Sequence, residues 1–441
     1  MHASAAFAIL LTVSACAPAT RSAQRSPQAP RFLERTDTGT GTAIPPGVTI
    51  EDGLTADEAV AIALWNNPDF RVQLTDLGFA RADLLEAGLL RNPVLSLLFP
   101  VGLKQLEATL RFPVEVLWER PRRVAAASVA LDRVAASLEQ HGLNLVAEVK
   151  VAVIELGLAA DRADLVHRAA TQAEQIRDIA RARLRSGDIS DLEARSAEID
   201  AARARHDADR ATFEVALRSN ALRARLGLAL HPGALTLANA PDVSGACADR
   251  PGLLEAALAS RPDVRAAEIA VEGAAARMGW EKSRVLTVTA VLDVNGPKAT
   301  QAHEVGPGVD LGLPLFDRNQ AGRARAAMEL QRTALVYVAA RQRVATEVTD
   351  GLTQLSQARS TLGSWQQSVV VPLEEQVSAA ERAFAAGDTS YLFVLEMTRR
   401  LTDARVRTRE VQADVARSAA RLERAIGRSC EPKGQDSAAR F

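Results

Sequence analysis

The chain has 441 residues, 47% of them hydrophobic and 24% charged, and its 53 Lys and Arg against 54 Asp and Glu leave a net charge of −1. This composition excludes intrinsic disorder, and its charge balance supports no nucleic-acid or other polyanion partner. Past the first seventeen residues no uncharged apolar run approaches the roughly 20 residues of a membrane-spanning helix, which excludes a helical membrane bundle and leaves β-barrel insertion open, because barrel strands alternate and give a weak hydropathy signal.

Ala3 to Val13 is a short apolar segment running into Leu11-Thr12-Val13-Ser14-Ala15-Cys16, with small residues directly before the cysteine. This pattern resembles a bacterial lipobox, so residues 1–15 are expected to be a signal peptide and Cys16 an acylated mature N-terminus. Ala17 follows, not the Asp that in such lipoproteins favours inner-membrane retention, so the outer membrane is the expected destination. A plain cleaved signal with a chance cysteine is the alternative, since only His2, and no Lys or Arg, precedes the apolar run. Residues 16–53, rich in Pro, Thr, Ser and Gly from Arg21 onward, read as a tether. Cys247 and Cys430 are the remaining cysteines; they are a candidate disulfide in a compartment that permits one, and two separate thiols is the other reading.

Beyond the tether the chain aligns with itself at an offset of about 200 residues. Asn67-Pro68-Asp69-Phe70-Arg71 recurs as Arg261-Pro262-Asp263-Val264-Arg265, and Leu110-Arg111-Phe112-Pro113-Val114 as Leu311-Gly312-Leu313-Pro314-Leu315. Arg185-Ser186-Gly187-Asp188-Ile189-Ser190 answers Ala385-Ala386-Gly387-Asp388-Thr389-Ser390. Three matches in one order mark two tandem copies, expected at 54–230 and 252–428, with a linker at 231–251 and a tail at 429–441.

Each copy predicts a short helix, a proline break, a second helix, two strands, a very long helix, a tip turn and a returning helix. In the first copy Thr55-x-x-Glu58 is a capping box that opens a helix to Asn66, and Pro68 restarts it for Asp69 to Leu90. Strands follow at about 92–117. From Leu106 to Val116 the even positions are apolar, whereas Glu107, Thr109, Arg111 and Glu115 fall on the other side, an alternation with period two. Asn92 to Pro100 is the fourth strand candidate. The second copy repeats the alternation at about 285–316, with Leu286, Val288, Ala290, Leu292 and Val294 and then Val305, Val309, Leu311 and Leu313 on one face. A half-buried sheet packed on helices has the same period. Arg122 to Leu184 and Gly322 to Ala385 are rod-length, on the order of 90 Å each at 1.5 Å per residue, and need partner helices along their length. Their turns lie at about 185–193 and 385–396.

No enzyme constellation stands out, and no cofactor is expected. The six histidines fall at no metal-ligand spacing, and Gly306-Pro307-Gly308-Val309-Asp310-Leu311-Gly312 lies inside an alternating strand rather than between strand and helix, so it is no dinucleotide loop.

The lipobox, the duplicated unit, the strands ending at Pro113 and Pro314 and the rods turning at Gly-x-x-Ser together resemble the TolC family of outer-membrane efflux proteins, over about Leu54 to Gly427. The stretch around Asn92-Pro93-Val94-Leu95 is similar to the metal-exporting branch. The resemblance implies a mainly helical fold with a small β-barrel part, in which four strands per chain from three chains close one barrel and the helices form a tunnel across the periplasm. Independently, four strands cannot close a barrel, for which about eight is the working minimum. It further implies a passive exit duct for small toxic molecules or metal ions, anchored in the outer membrane and partnered by a periplasmic adaptor protein and an inner-membrane pump. The family pattern places adaptor contacts or a gate at Arg185, Gly187, Ser190, Glu193, Gly387, Ser390 and Glu396, and the strand-to-helix junction at Pro113 and Pro314. Phe393 stands where the family has an acid, and Ser190 with Glu193 also reads as a capping box. A structural coiled-coil lipoprotein tethered under the outer membrane is the alternative function.

Overall fold

The structure, a computed structural model, describes residues 44–46, 48, 53–99, 106–230, 235–238, 252–296, 304–386 and 388–428. Cys16 and the signal segment, most of the tether and linker, Cys247, Gly387, Cys430 and the tail lie outside the described residues.

The two copies are built alike. The first runs α1 (Ala56–Asn66), α2 (Pro68–Gly88), β1 (Val94–Leu98), β2 (Glu107–Pro113), α3 (Val116–Ser186) and α4 (Asp191–Leu226). The second runs α5 (Leu253–Ser260), α6 (Pro262–Ser283), β3 (Thr287–Asn295), β4 (Glu304–Gly312), α7 (Gln320–Trp365), a π-helical segment (Gln366–Val370), α8 (Val371–Ala386) and α9 (Tyr391–Ile426).

Local chemistry sets the element ends. The Thr55 backbone N–H donates to Glu58 Oε2 at 2.9 Å, which with the Thr55 hydroxyl completes the capping box of α1. Pro68 occupies the first turn of α2, where its missing N–H costs nothing, and Asn67 Oδ1 accepts from Phe70 N–H at 2.9 Å. The α3 rod is 71 residues, about 105 Å long. It begins before Arg122 because Pro121, in its second turn, forfeits a single backbone bond. In the second copy the rod widens into the π-helical segment just before Pro372, where Val371 N–H donates to the Gln366 carbonyl five residues back.

The rods pair by a seven-residue repeat. α4 buries Ala194, Ala201 and Ala208, and α9 buries Met397, Leu401, Ala404, Val411 and Val415. This spacing keeps one seam against a partner helix, and alanine lets the backbones approach closely. One core joins Ile62, Phe70, Leu138, Val149 and Leu222 of the first copy, and another joins Leu253, Val264, Val344, Leu355 and Leu422 of the second. The copies meet through Ala136 against Ala266 and Ile269, through Ile154 against Ala413 and Ala416, and through Lys150 Nζ donating to Glu423 at 2.8 Å. Near the sheet the helices lie side by side in the order α2, α3, α6, α7, and toward the tips α3 and α9 meet between α4 and α8. The layer therefore has two open borders, α2 with α4 and α7 with α8.

The four strands form one antiparallel sheet in the order β1-β2-β3-β4, so the two copies join edge to edge at β2 and β3.

Candidate functional site: a two-faced sheet and two tip turns

The register gives the sheet one wholly apolar face and one face that carries all its charges, together with Val94, Leu98 and Val291. Leu110 pairs with Leu95 on one side and Leu292 on the other, and Leu292 pairs with Pro307. Neighbouring rows on that face hold Leu97, Ala108, Val294 and Val305, and then Phe112, Ala290 and Val309. The opposite face carries Glu107, Asn295 and Glu304 in one row, Ser96, Thr109, Asp293 and Gly306 in the next, and Arg111 with Asp310 further on. Arg111 Nε and Asp310 lie 3.9 Å apart. The apolar face is not covered by the helices: Leu95, Leu97, Val305, Val309 and Leu311 are all exposed. One residue departs from the sequence expectation. Glu115, assigned by alternation to the polar side, is buried at 8% exposure, because the ladder ends with Val114 N–H on the Val288 carbonyl and the chain turns into α3. There its carboxylate accepts from Val288 N–H at 3.2 Å. Pro113 pairs with Thr289 at the end of β2, and Pro314 lies just past β4, its carbonyl accepting from Arg318 Nε at 3.3 Å.

At the far end of the rods, Gly187 closes α3 in a left-handed conformation with φ 81°, and Asp188 N–H donates to the Arg183 carbonyl at 2.9 Å. Ser190 caps α4 in a capping box: its backbone N–H donates to Glu193 Oε2 at 2.9 Å, while Glu193 N–H donates to Ser190 Oγ at 3.3 Å. The backbone bond from Ser190 leads the causes that hold the Glu193 carboxyl below its ordinary pKa, followed by the Ser190 hydroxyl. The second tip has half of this device. Ser390 Oγ accepts from Phe393 N–H at 3.3 Å, but Phe393 has no carboxylate to return the bond. Glu396 sits a turn further on and pairs with Arg400 at 2.9 Å. Arg185 is exposed in the last turn of α3.

Glu193 and Glu396 come together across the two copies. Both line a cleft of about 700 Å³ between α4 and α9, floored by α3, with Arg183, Arg399 and Asp403 beside them. Ser190, Gly187, Ser390 and Arg185 do not line it. The arginines of this cleft were not singled out from the sequence, and their signal was their spacing along the helices. The open borders were missed too, although they carry apolar residues at seven-residue spacing: Val72 and Phe79 on α2, Leu192 and Ile199 on α4, Met328 and Leu335 on α7, all exposed.

Residues 253–428 match the family model described as outer membrane efflux protein. The cobalt-zinc-cadmium resistance protein CzcC of Cupriavidus metallidurans is 26% identical over 379 residues, covering 85% of this chain and 90% of that one. The second copy thus resembles the outer membrane efflux protein family, and the likeness to CzcC extends over both copies. The fold of the chain agrees with solved structures of CusC, at TM-score 0.72 and 20% identity over 86% of this chain and 94% of that one. VceC of Vibrio cholerae matches at TM-score 0.68 and 19% identity, over 85% and 97% of the two chains. The open-state MtrE outer membrane channel of Neisseria gonorrhoeae matches at 0.67 and 17%, over 91% and 98%.

No group of three or more His, Cys, Asp and Glu among the described residues is placed to hold a metal ion. Among the same residues no helix is long and apolar enough to cross a membrane. The exposed apolar sheet face is a surface whose chemistry matches hydrocarbon.

Proposed function

We propose that the chain is the outer-membrane exit duct of a tripartite efflux system, a passive homotrimeric tube that carries metal cations delivered by an inner-membrane pump and a periplasmic adaptor. The observation that carries this reading is the two-faced sheet, whose register makes one side wholly apolar and puts every charged residue of the strands on the other. Placed in lipid, that side leaves Glu107, Thr109, Asp293 and Asp310 around water, and the excess of carboxylates over Arg111 suits a cationic cargo. CzcC, named for cobalt, zinc and cadmium resistance, supports the same cargo class.

The borders suit a ring of copies, and three is the number the family resemblance implies. β1 and β4 each have an unpaired edge in this sheet, and α2 with α4 on one side faces away from α7 with α8 on the other. Head-to-tail surfaces build a ring where the rotation between copies closes, and three copies of four strands exceed the closure minimum of about eight. In this reading Cys16 is the acylated anchor after a signal at 1–15, residues 16–53 form the tether, and the repeats occupy 54–230 and 252–428. Cys247 and Cys430 are the disulfide candidates. Arg185, Gly187, Ser190, Gly387 and Ser390 present the tips to the adaptor, and Glu193 and Glu396 narrow the mouth. A coiled-coil lipoprotein tether would have no use for a sheet with one bare apolar face.

Deleting the gene should raise susceptibility to cobalt, zinc or cadmium, and the purified protein should give discrete conductance steps in a planar bilayer. A protein that restores tolerance yet never conducts would overturn the duct reading.

A further inference from the structure

Outside the strands, exposed apolar side chains recur where the sheet meets the helices. Leu89 follows α2, Leu117 and Trp118 open α3, and Leu313, Leu315 and Phe316 lead from β4 to α7; all are exposed, Phe316 at 92%. They derive from both copies but share one end of the molecule, because all four strands pass to helices there.

Arginines interleave with them and fall into two groups. Arg120 and Arg123 are committed to the chain, donating to the carbonyls of Gly88 at 2.8 Å, Ala87 at 3.0 Å and Leu89 at 2.7 Å. Arg91, before β1, Arg122, in the second turn of α3, and Arg323, in the first turn of α7, are exposed and make no hydrogen bond or ion pair with a described residue. Nearby acids are largely engaged: Glu115 accepts from Val288 N–H, Glu281 from Asn319 Nδ2 at 2.7 Å, and Asp317 from Asn319 N–H at 2.8 Å. Glu86 and Glu119 offset only part of the remaining positive charge.

We propose that this belt seats anionic phospholipid headgroups of the leaflet facing the periplasm, with Arg91, Arg122 and Arg323 binding their phosphates and Trp118 and Phe316 lying at the acyl boundary. The inference rests on the reading of the sheet as membrane-inserted. Leu313 and Leu315 keep the parity of Val309 and Leu311 past the end of β4, and aromatic rings with arginines are the side chains that suit the boundary between hydrocarbon and headgroup. A guanidinium binds phosphate through paired donors, and a basic residue at an anionic surface adds on the order of fivefold in association.

The test uses the purified full chain reconstituted in vesicles of phosphatidylethanolamine and phosphatidylglycerol, with trace spin-labelled phosphatidylglycerol or phosphatidylcholine. The motionally restricted fraction of each label is read by electron spin resonance. Wild type should restrict both labels and favour phosphatidylglycerol by on the order of fivefold, a preference that falls in high salt. The triple variant Arg91→Gln, Arg122→Gln, Arg323→Gln should restrict phosphatidylcholine as before and lose the preference. Equal restriction of the two labels by wild type, or a preference kept in the variant, overturns the proposal. If neither label is restricted, the membrane-inserted reading fails first and the proposal with it.

Discussion

Asn67 and Arg261 stand at the same place in the two repeats and tie down the same kind of carbonyl with different chemistry. Asn67 Nδ2 donates to the Arg225 carbonyl at 2.9 Å, and Arg261 donates to the Ala425 carbonyl at 3.2 Å. Each precedes the proline that starts a helix, and each docks the last turn of the returning rod against the short helices. The second repeat thereby buries a full charge, with Arg261 only 3% exposed. Burial works to lower the Arg261 pKa, but hydrogen bonds to Asp263, at 2.6 Å, and to Glu347 hold it above its ordinary value.

Removing one partner of that network should therefore cost more than removing the neutral amide of the first repeat. Glu347→Ala leaves Arg261 held by Asp263 alone and should destabilise by about 1.5 to 3 kcal/mol, the range for a hydrogen bond to a charged group, whereas Asn67→Ala should cost about 1 kcal/mol. Thermal unfolding of the detergent-solubilised chain, followed by circular dichroism, checks the order of the two.

What the sequence shows of this molecule follows from the range of each interaction. The sheet faces are legible because period two needs only residue types, and the capping boxes of Thr55 and Ser190 because their partners lie three residues away. The Arg261 network is not, since Glu347 is 86 residues distant and enters only once α7 packs beside α5. Alternation also overran the true end of β2: Glu115 keeps the parity of Arg111, but the Val114 to Val288 bond closes the ladder before it. The meeting of Glu193 and Glu396 in one cleft depends on how α4 and α9 are spaced across α3, which no local pattern encodes.

Two glycines with left-handed backbones should respond differently to a side chain. At Gly187 a Cβ would meet nothing within 4 Å, so Gly187→Ala bears only the conformational cost, about 1 to 2 kcal/mol. At Gly227, φ 70°, a Cβ would lie 2.6 Å from the Asn66 carbonyl carbon, against backbone that cannot yield. Gly227→Ala should lower the amount of folded protein in the membrane sharply, while Gly187→Ala should keep it near wild type. Immunoblotting of outer-membrane fractions, with metal tolerance measured alongside, checks both.

Glu139, half-buried on α3, offers a test of sign. Burial raises its pKa above the ordinary 4.5, so the folded state holds the proton more tightly than the unfolded chain. Its carboxyl then lowers stability as pH rises from about 4.5 through the raised folded value, and the penalty is complete above that value. Glu139→Gln should raise the melting temperature at pH 8 and bring no gain at pH 4. Equal gains at the two pH values would contradict the assignment.

The two faces of β2 predict opposite outcomes for the same substitution one residue apart. Leu110 lies in the row of Leu95, Leu292 and Pro307, so an arginine there would enter hydrocarbon if that face meets lipid. Near the bilayer midplane this costs about 2 to 4 kcal/mol per chain, and a trimer would bear it three times. Thr109 lies on the other face, paired with Asp293, where an arginine meets water and an opposite charge. Leu110→Arg should therefore reduce heat-resistant oligomers in the outer membrane, whereas Thr109→Arg should assemble like wild type and shift the conductance toward anions. If the sheet stood outside any bilayer, its uncovered faces would both border water and the two variants would assemble alike. Equal assembly of the two variants, with unchanged ion selectivity in Thr109→Arg, would reject the barrel and favour the tether.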